Sequence, residues 1–376
     1  MDRTGEVFLQ VLRNGLWKKE ETIPDAGDFS WEDIFRMAKA QSLTGIIGQA
    51  VLDSPDAAAS LPEGYRENIK SFIIKNCAVH STFNRCLVHV VSALRAEGVE
   101  PVLLKGQGLA RNWPCPELRQ CGDIDLWVGE ENYTKAIKIL LPLSSSENGD
   151  IEESIKHASL QFGMVTVEIH RFSGVDTSSR KLDAIYREYS EDGLSNRTVP
   201  LDFGGTDIMT PSDNFNAFYI FSHLWHHFMA GGIGLRQICD WALFLHSRKD
   251  AIDTGYLEKV LEELEMKEAW QVFGCIASDW LGLPSCEFPF YNQDCRAKAE
   301  KVLALILKEG NFGHERACFR KQRSKVYLFR KAGSFMYHIS RNARLLLIFP
   351  AQTAKEFWNT TITGFKAVWK DFSKNI

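Results

Sequence analysis

No stretch of this 376-residue chain reaches the roughly 18 consecutive apolar residues that a bilayer-spanning helix requires. Its most apolar windows, AFYIFSHLWHHFMA and ARLLLIFPA, are interrupted by histidine or stopped by proline, so no membrane span is expected. The opening MDRTGEVFLQVLRNG lacks the apolar core of a signal peptide, and a soluble cytoplasmic protein is the expectation. Nine cysteines are present without a CxxC pair, a spacing that fits neither a zinc knuckle nor a disulfide framework. Positive charge is not in excess: Lys and Arg number 44 against 48 Asp and Glu, for a net charge of −4. A chain that grips nucleic acid through phosphates carries a basic surplus, so general nucleic-acid binding is not expected. There is no GxGxxG, no P-loop, no HExxH and no Ser/His/Asp arrangement, nor any internal repeat or low-complexity linker.

What the chain does have is two changes of pattern, near residues 98 and 210. Residues 1–98 read as a helical N-terminal segment. SWEDIFRMAKAQS opens on Ser30, a good N-cap, with acids in the first turn. From Pro62 a long helical stretch runs without Gly or Pro between Gly64 and Gly98, and Gly98 suits a C-cap. Residues 99–210 read as α+β. EPVLLKG and DIDLWVG are short buried strands, QGLARNW and EENYTKAIKILL short helices, LQFGMVTVEIHR a strand pair, and TVPLDFGGTDIMTP a hairpin. Residues 211–376 return to helical periodicity and form a helical C-terminal domain. The expected fold is α+β, with a small mixed-sheet domain inserted between helical segments.

The chemistry is expected in DIDLWVG. Residues i and i+2 of a strand share a face, so Asp123 and Asp125 project together. Two carboxylates this close repel unless a cation lies between them, and oxygen-only ligands favour Mg2+ or Mn2+. Glu168, on the VEIH strand, is the best candidate for a third acid. A DxD pair is common on solvated strand ends, but three neighbours set this one apart. Gly122 lets backbone approach a ligand, Lys105 and Gly106 make a corner after the preceding strand, and Arg119 lies four residues upstream.

These residues together resemble a known family. LLKGQGLARNWPCPELRQCGDIDLWV, then VEIH, then HLWHHFMAGGIGLRQICDWALFL look like the uncharacterised bacterial nucleotidyltransferase family of the DNA polymerase β superfamily. The resemblance spans roughly residues 100 to 245. It implies transfer of a nucleoside monophosphate from an NTP to an unidentified hydroxyl acceptor, with Asp123, Asp125 and Glu168 as catalytic and metal-holding residues. Lys105, Gly106, Gly108, Arg119 and Gly122 would lie at the nucleotide, and His170, His227, Arg236 and Asp240 at the substrate. The chain departs from the superfamily in having Lys105-Gly106-Gln107-Gly108 where Gly-Ser is typical, which leaves the serine's phosphate contact without an equivalent. Lys105 either substitutes as a point charge or points away. Arg171 stands after VEIH where the family often has Trp, a change that would bear on the pocket.

Other histidines keep more than one reading. His223 and His227 stand at i and i+4 of a helix, a spacing that can bind zinc but that more often belongs to buried, hydrogen-bonded rings. Arg236 and Asp240, also i and i+4, would pair on a helix if they do not meet substrate. His157 and His170 flank the site strands as a base, a phosphate contact or structural rings. The basic run from Arg316 to Lys331 reads as a solvated helix face, with Phe319, Tyr327 and Phe329 packing inward, or as a contact for a polyanionic acceptor or RNA. Two rival functions stand beside the transferase: a catalytically silent nucleotide- or partner-binding module on the same fold, and a metal-dependent phosphohydrolase built on the His223/His227 helix.

Overall fold

The structure is a computed structural model, described here for residues 2–24, 27–146, 152–153, 156–173, 179–311 and 340–355. The basic run Arg316–Lys331 and its aromatic residues lie outside them. Five helices open the chain: α1 (Arg3–Trp17), α2 (Trp31–Ala40), α3 (Thr44–Asp53), α4 (Pro55–Ala59) and α5 (Tyr65–Ala96). The Ser30 hydroxyl accepts from Asp33 N–H and so starts α2. At the end of α5, Gly98 adopts φ +72°; its N–H donates to Arg95 O and Val99 N–H donates to Leu94 O. That pair of bonds is the Schellman arrangement, and it turns the chain directly into the first strand.

The middle of the chain forms β1 (Val102–Leu103), α6 (Gln107–Ala110), β2 (Ile124–Trp127), α7 (Gly129–Leu140), β3 (Glu152–Glu153), β4 (His157–Phe162), β5 (Val165–His170), α8 (Arg180–Glu191), β6 (Thr198–Asp202) and β7 (Asp207–Pro211). The strands make one mixed sheet in the order β3-β4-β5-β2-β1-β7-β6. Its centre is parallel where β2 meets β5 and where β1 meets β7; the remaining pairs are antiparallel. The first strand is shorter than EPVLLKG implies, because only Val102 and Leu103 join the ladder. α8 was not anticipated; Ser179 caps it, and Leu182 and Tyr186 are its buried stripe.

Period-two alternation divides the sheet into two faces. Ile124, Leu126, Ala158, Leu160, Val165, Val167 and Ile169 pack against Phe83, Leu87, Val90, Val91 and Leu94 of α5 and Tyr133, Ala136 and Leu140 of α7, forming one core. The opposite face carries the polar residues Asp123, Asp125, Glu168 and His170, and it looks toward the C-terminal helices. These are α9 (Asp213–Ala230), α10 (Leu235–Arg248), α11 (Thr254–Glu263), α12 (Lys267–Cys275) and α13 (Arg296–Glu309). Their core is aromatic: Trp241 and Trp270 meet edge to face at 4.7 Å between ring centroids, and Phe221, Phe273 and Phe288 surround them.

The opening helices share that aromatic core and do not stand apart from it. Trp17 Nε1 donates to Leu281 O, Arg13 Nη1 to Trp280 O, and Gln41 Nε2 to Ile306 O, while Leu235 N–H donates to Gln41 Oε1. The first and last helical parts of the chain are therefore packed together. No helix among the described residues is long and apolar enough to cross a membrane.

Candidate active site

A cleft of about 390 Å3 opens between the polar face of the sheet and helices α9 and α10. Parallel pairing of β2 with β5 sets Asp125 opposite Glu168 and Trp127 opposite His170, and antiparallel pairing of β4 with β5 sets His157 opposite His170. Asp123, one residue before β2, projects to the same side. Carboxylate oxygens of Asp123, Asp125 and Glu168 lie within 4.8 Å of one another, which is the spacing of a group able to hold a metal ion. The expected triad is thus assembled by the β2–β5 register together with the segment that leads into β2.

The charges around it are unequal. Asp125 is only 4% exposed. Burial alone would raise its pKa, but Lys105 Nζ at 3.3 Å and His170 Nε2 at 2.9 Å hold the carboxyl well below its usual range. Asp123 sits at the cleft mouth, where the Asp125 carboxylate, then the surrounding protein, push it up to about 6, with Lys105 opposing. Burial works against protonation of His170, yet hydrogen bonds to Asp125 and Glu168 outweigh it and raise its pKa.

Lys105 points into the cleft. Besides Asp125 it meets His223 Nε2 at 2.8 Å, and His223 Nε2 in turn faces His227 Nε2 at 3.1 Å. Burial first, then Lys105, lowers His223 well below the imidazole range and His227 to about 4. Both rings are neutral at physiological pH, joined to a lysine and to each other. The groups spaced to hold a metal among the described residues are Asp123/Asp125/Glu168 and His157/Glu168/His170; neither contains His223 or His227.

Gly106 makes the corner. Its φ is +57°, and a Cβ there would lie 3.2 Å from Asp123 O, so glycine lets the β1–α6 turn press against the acidic segment. Gly122 lines the cleft in open space. Gly108 does not line it; it faces Leu103 and Thr210 on the far side of α6. Gln107 is buried and bonds Asn84 and Cys121, so its side chain is turned away from the cleft.

Arg119 and Asp240 both border the cleft but are spent on each other, with Arg119 Nε at 2.7 Å from Asp240 Oδ1 and Nη2 at 2.9 Å from Oδ2. Trp113 Nε1 adds a third bond to Asp240. The helical pairing of Arg236 with Asp240 is therefore replaced by one across the fold. Arg236 instead donates from Nη1 to Gln120 O, keeps a buried Nε without a partner, and borders the cleft; burial, then Arg119, brings its pKa down to about 10. Arg171 stacks 3.9 Å over the Tyr133 ring on the opposite face of the sheet. Alternation along β5 sends it away from His170, so the change from Trp does not reach the cleft.

Sequence reasoning passed over Tyr219 and Lys156, which also line the cleft. Tyr219 precedes His223 by one helical turn, so extending the histidine stripe backwards would have found it. Lys156 follows no pattern of its own.

No curated protein and no solved structure gives a match to this chain. A family model does, and it covers residues 27–282, more than half of the chain and well beyond the sheet into the helices on both sides. The chain belongs to the family described as uncharacterised nucleotidyltransferase.

Proposed function

We propose that this protein transfers a nucleoside monophosphate from an NTP to a hydroxyl of a small molecule, sugar or peptide, on a polymerase β-like domain. One observation carries the reading: three carboxylates from two in-register strands converge beside a lysine in the cleft of a chain that belongs to a nucleotidyltransferase family. An NTP follows from the family, and oxygen-only donors suit Mg2+ or Mn2+. Asp123 and Asp125 would hold the ion at the triphosphate, and Glu168 would share a second near the acceptor. Bound there, the ions neutralise charge on the entering and leaving oxygens of an in-line displacement and lower the pKa of the attacking hydroxyl.

The chain's own groups supply the rest. Lys105 and Arg236 bring positive charge to the cleft beside Asp123, where phosphate oxygens would be held. The Gly106 corner lets backbone approach them. Neutral His223 and His227 set Lys105 without adding charge. Isothermal titration with each Mg·NTP tests the reading. At least one binds the wild type and is lost in the double variant Asp123→Asn/Asp125→Asn. Absence of binding by all four, or binding that the double variant leaves unchanged, overturns it.

The Lys105–Asp125 ion pair favours a second reading, a silent nucleotide-binding module, because it occupies an acid that a metal would otherwise take. That module binds Mg·NTP but releases no pyrophosphate with any acceptor in a cell extract.

A further inference from the structure

Next to the carboxylate triad, and sharing Glu168 with it, lies a group of different chemistry. His157 Nε2 is 3.8 Å and His170 Nε2 is 3.4 Å from Glu168 Oε2, and the two rings stand 5.0 Å apart on paired strands. One donor atom from each of the three residues lies within 4.8 Å of the others. An ion with bonds of about 2.0–2.2 Å holds neighbouring ligands roughly 3 Å apart, so the two contacts to Glu168 need close by less than about 1 Å and the two nitrogens by less than about 2 Å. All three side chains project from β4 and β5, whose six-residue ladder fixes their spacing. His170 Nε2 also sits 2.9 Å from Asp125 Oδ1, so an ion taken by this nitrogen would replace that hydrogen bond.

The donor sets differ. Asp123, Asp125 and Glu168 offer oxygen alone, which suits Mg2+. Two imidazole nitrogens with one carboxylate suit Mn2+, Fe2+, Co2+ or Zn2+, and Mg2+ rarely accepts nitrogen ligands. We propose that His157, Glu168 and His170 form a separate transition-metal site, so that the cleft binds a nitrogen-ligated ion beside the one that accompanies the nucleotide. Glu168 bridges the two positions. This inference deepens the two-ion reading above by naming the class of the second ion, and it places His157 in the site as a ligand.

The test uses Mn2+ alone, without nucleotide, on the full-length protein. Pulsed electron paramagnetic resonance of the wild type with substoichiometric Mn2+ is expected to show 14N modulation from directly bound imidazole. His157→Gln loses one nitrogen coupling and weakens Mn2+ binding. Changes outside the ligand shell already cost about 10- to 100-fold in metal affinity, so loss of a ligand costs at least that. Asp123→Asn keeps both nitrogen couplings. Bound Mn2+ without 14N modulation in the wild type overturns the site, and that spectrum decides even where a variant fails to fold. Nitrogen couplings unchanged in His157→Gln overturn it as well. The two readings fail separately: lost 14N modulation with intact Mg·NTP binding removes this site alone, and the converse removes the transferase alone.

Discussion

Arg119 and Asp240 form a two-pronged ion pair buried between the segment before β2 and helix α10, at 5% and 3% exposure. It ties the loop that delivers Asp123 to the helix that delivers Arg236. Such a pair is weak evidence for stability by itself, because both charges were taken out of water, but breaking one half strands the other. Asp240→Asn is expected to lower unfolding free energy by about 3–5 kcal/mol. In denaturant titrations the double variant Arg119→Met/Asp240→Leu recovers most of that loss. If the double variant is no more stable than Asp240→Asn, the stranded arginine is not the cause.

The same loop is pinned from the other side by Gly45 in α3. A Cβ at Gly45 would lie 2.4 Å from Leu118 O, closer than real contacts allow. The obstacle is backbone, so the loop itself has to move. Gly45→Ala is expected to cost about 1–3 kcal/mol, as overpacking does, and to weaken Mg·NTP binding by displacing Asp123. Titration of a variant that melts unchanged and binds nucleotide unchanged would show that the contact relaxes without reaching the site.

The triad was legible because strand alternation and a third acid on a VEIH strand are local signals. Asp125 and Glu168 needed only the pairing of β2 with β5 to converge, and Asp123 leads directly into that strand. The partner of Asp240 was not legible. Spacing offered Arg236 at i+4, and a contact between residues 119 and 240 depends on how the α10 axis crosses the loop, which no local pattern encodes. α8 was missed for a different reason. Its apolar residues Leu182, Ile185, Tyr186 and Tyr189 do follow helical spacing, but they are set among so many charges that the stripe reads as a polar loop. The sharing of one core by the first and last helices was hidden as well, since Gln41 and Ile306 are joined only in the folded chain.

A test of pH dependence lies far from the cleft. Glu287 accepts from Lys249 Nζ at 2.6 Å and from His246 Nδ1 at 2.5 Å. Burial opposes its ionisation, but Lys249 and then His246 outweigh this and hold its pKa below the usual value of 4.5. A carboxyl whose folded pKa is depressed adds stability that is present above the unfolded pKa and is lost as pH falls through the folded one. Melting temperature of the wild type is therefore expected to fall more steeply below about pH 4.5 than that of Glu287→Gln. Parallel curves would remove the linkage.

Lys105 is expected to act on the nucleotide through its charge. A hydrogen bond to a charged group contributes about 1.5–3 kcal/mol, or roughly 10- to 100-fold in affinity. Lys105→Met is expected to weaken Mg·NTP by that factor in isothermal titration, while leaving the His223–His227 pair in place. An unchanged affinity would mean that Lys105 serves Asp125 alone and never meets phosphate.

Glu168 separates binding from chemistry. It stands opposite Asp125 across β2 and β5, beside His157 and His170. Removing its charge therefore leaves Asp123, Asp125 and Lys105 available to the triphosphate, while the acceptor hydroxyl loses the group expected to help take its proton. Assistance of that kind contributes about 100- to 10,000-fold in rate. Glu168→Gln is expected to bind Mg·NTP nearly as the wild type does, but to label acceptors in a cell extract from radioactive NTP more slowly by that factor. Asp123→Asn/Asp125→Asn, by contrast, loses binding and labelling together. Labelling by Glu168→Gln at the wild-type rate would take the third acid out of the reaction and leave the aspartate pair as the whole of the machinery.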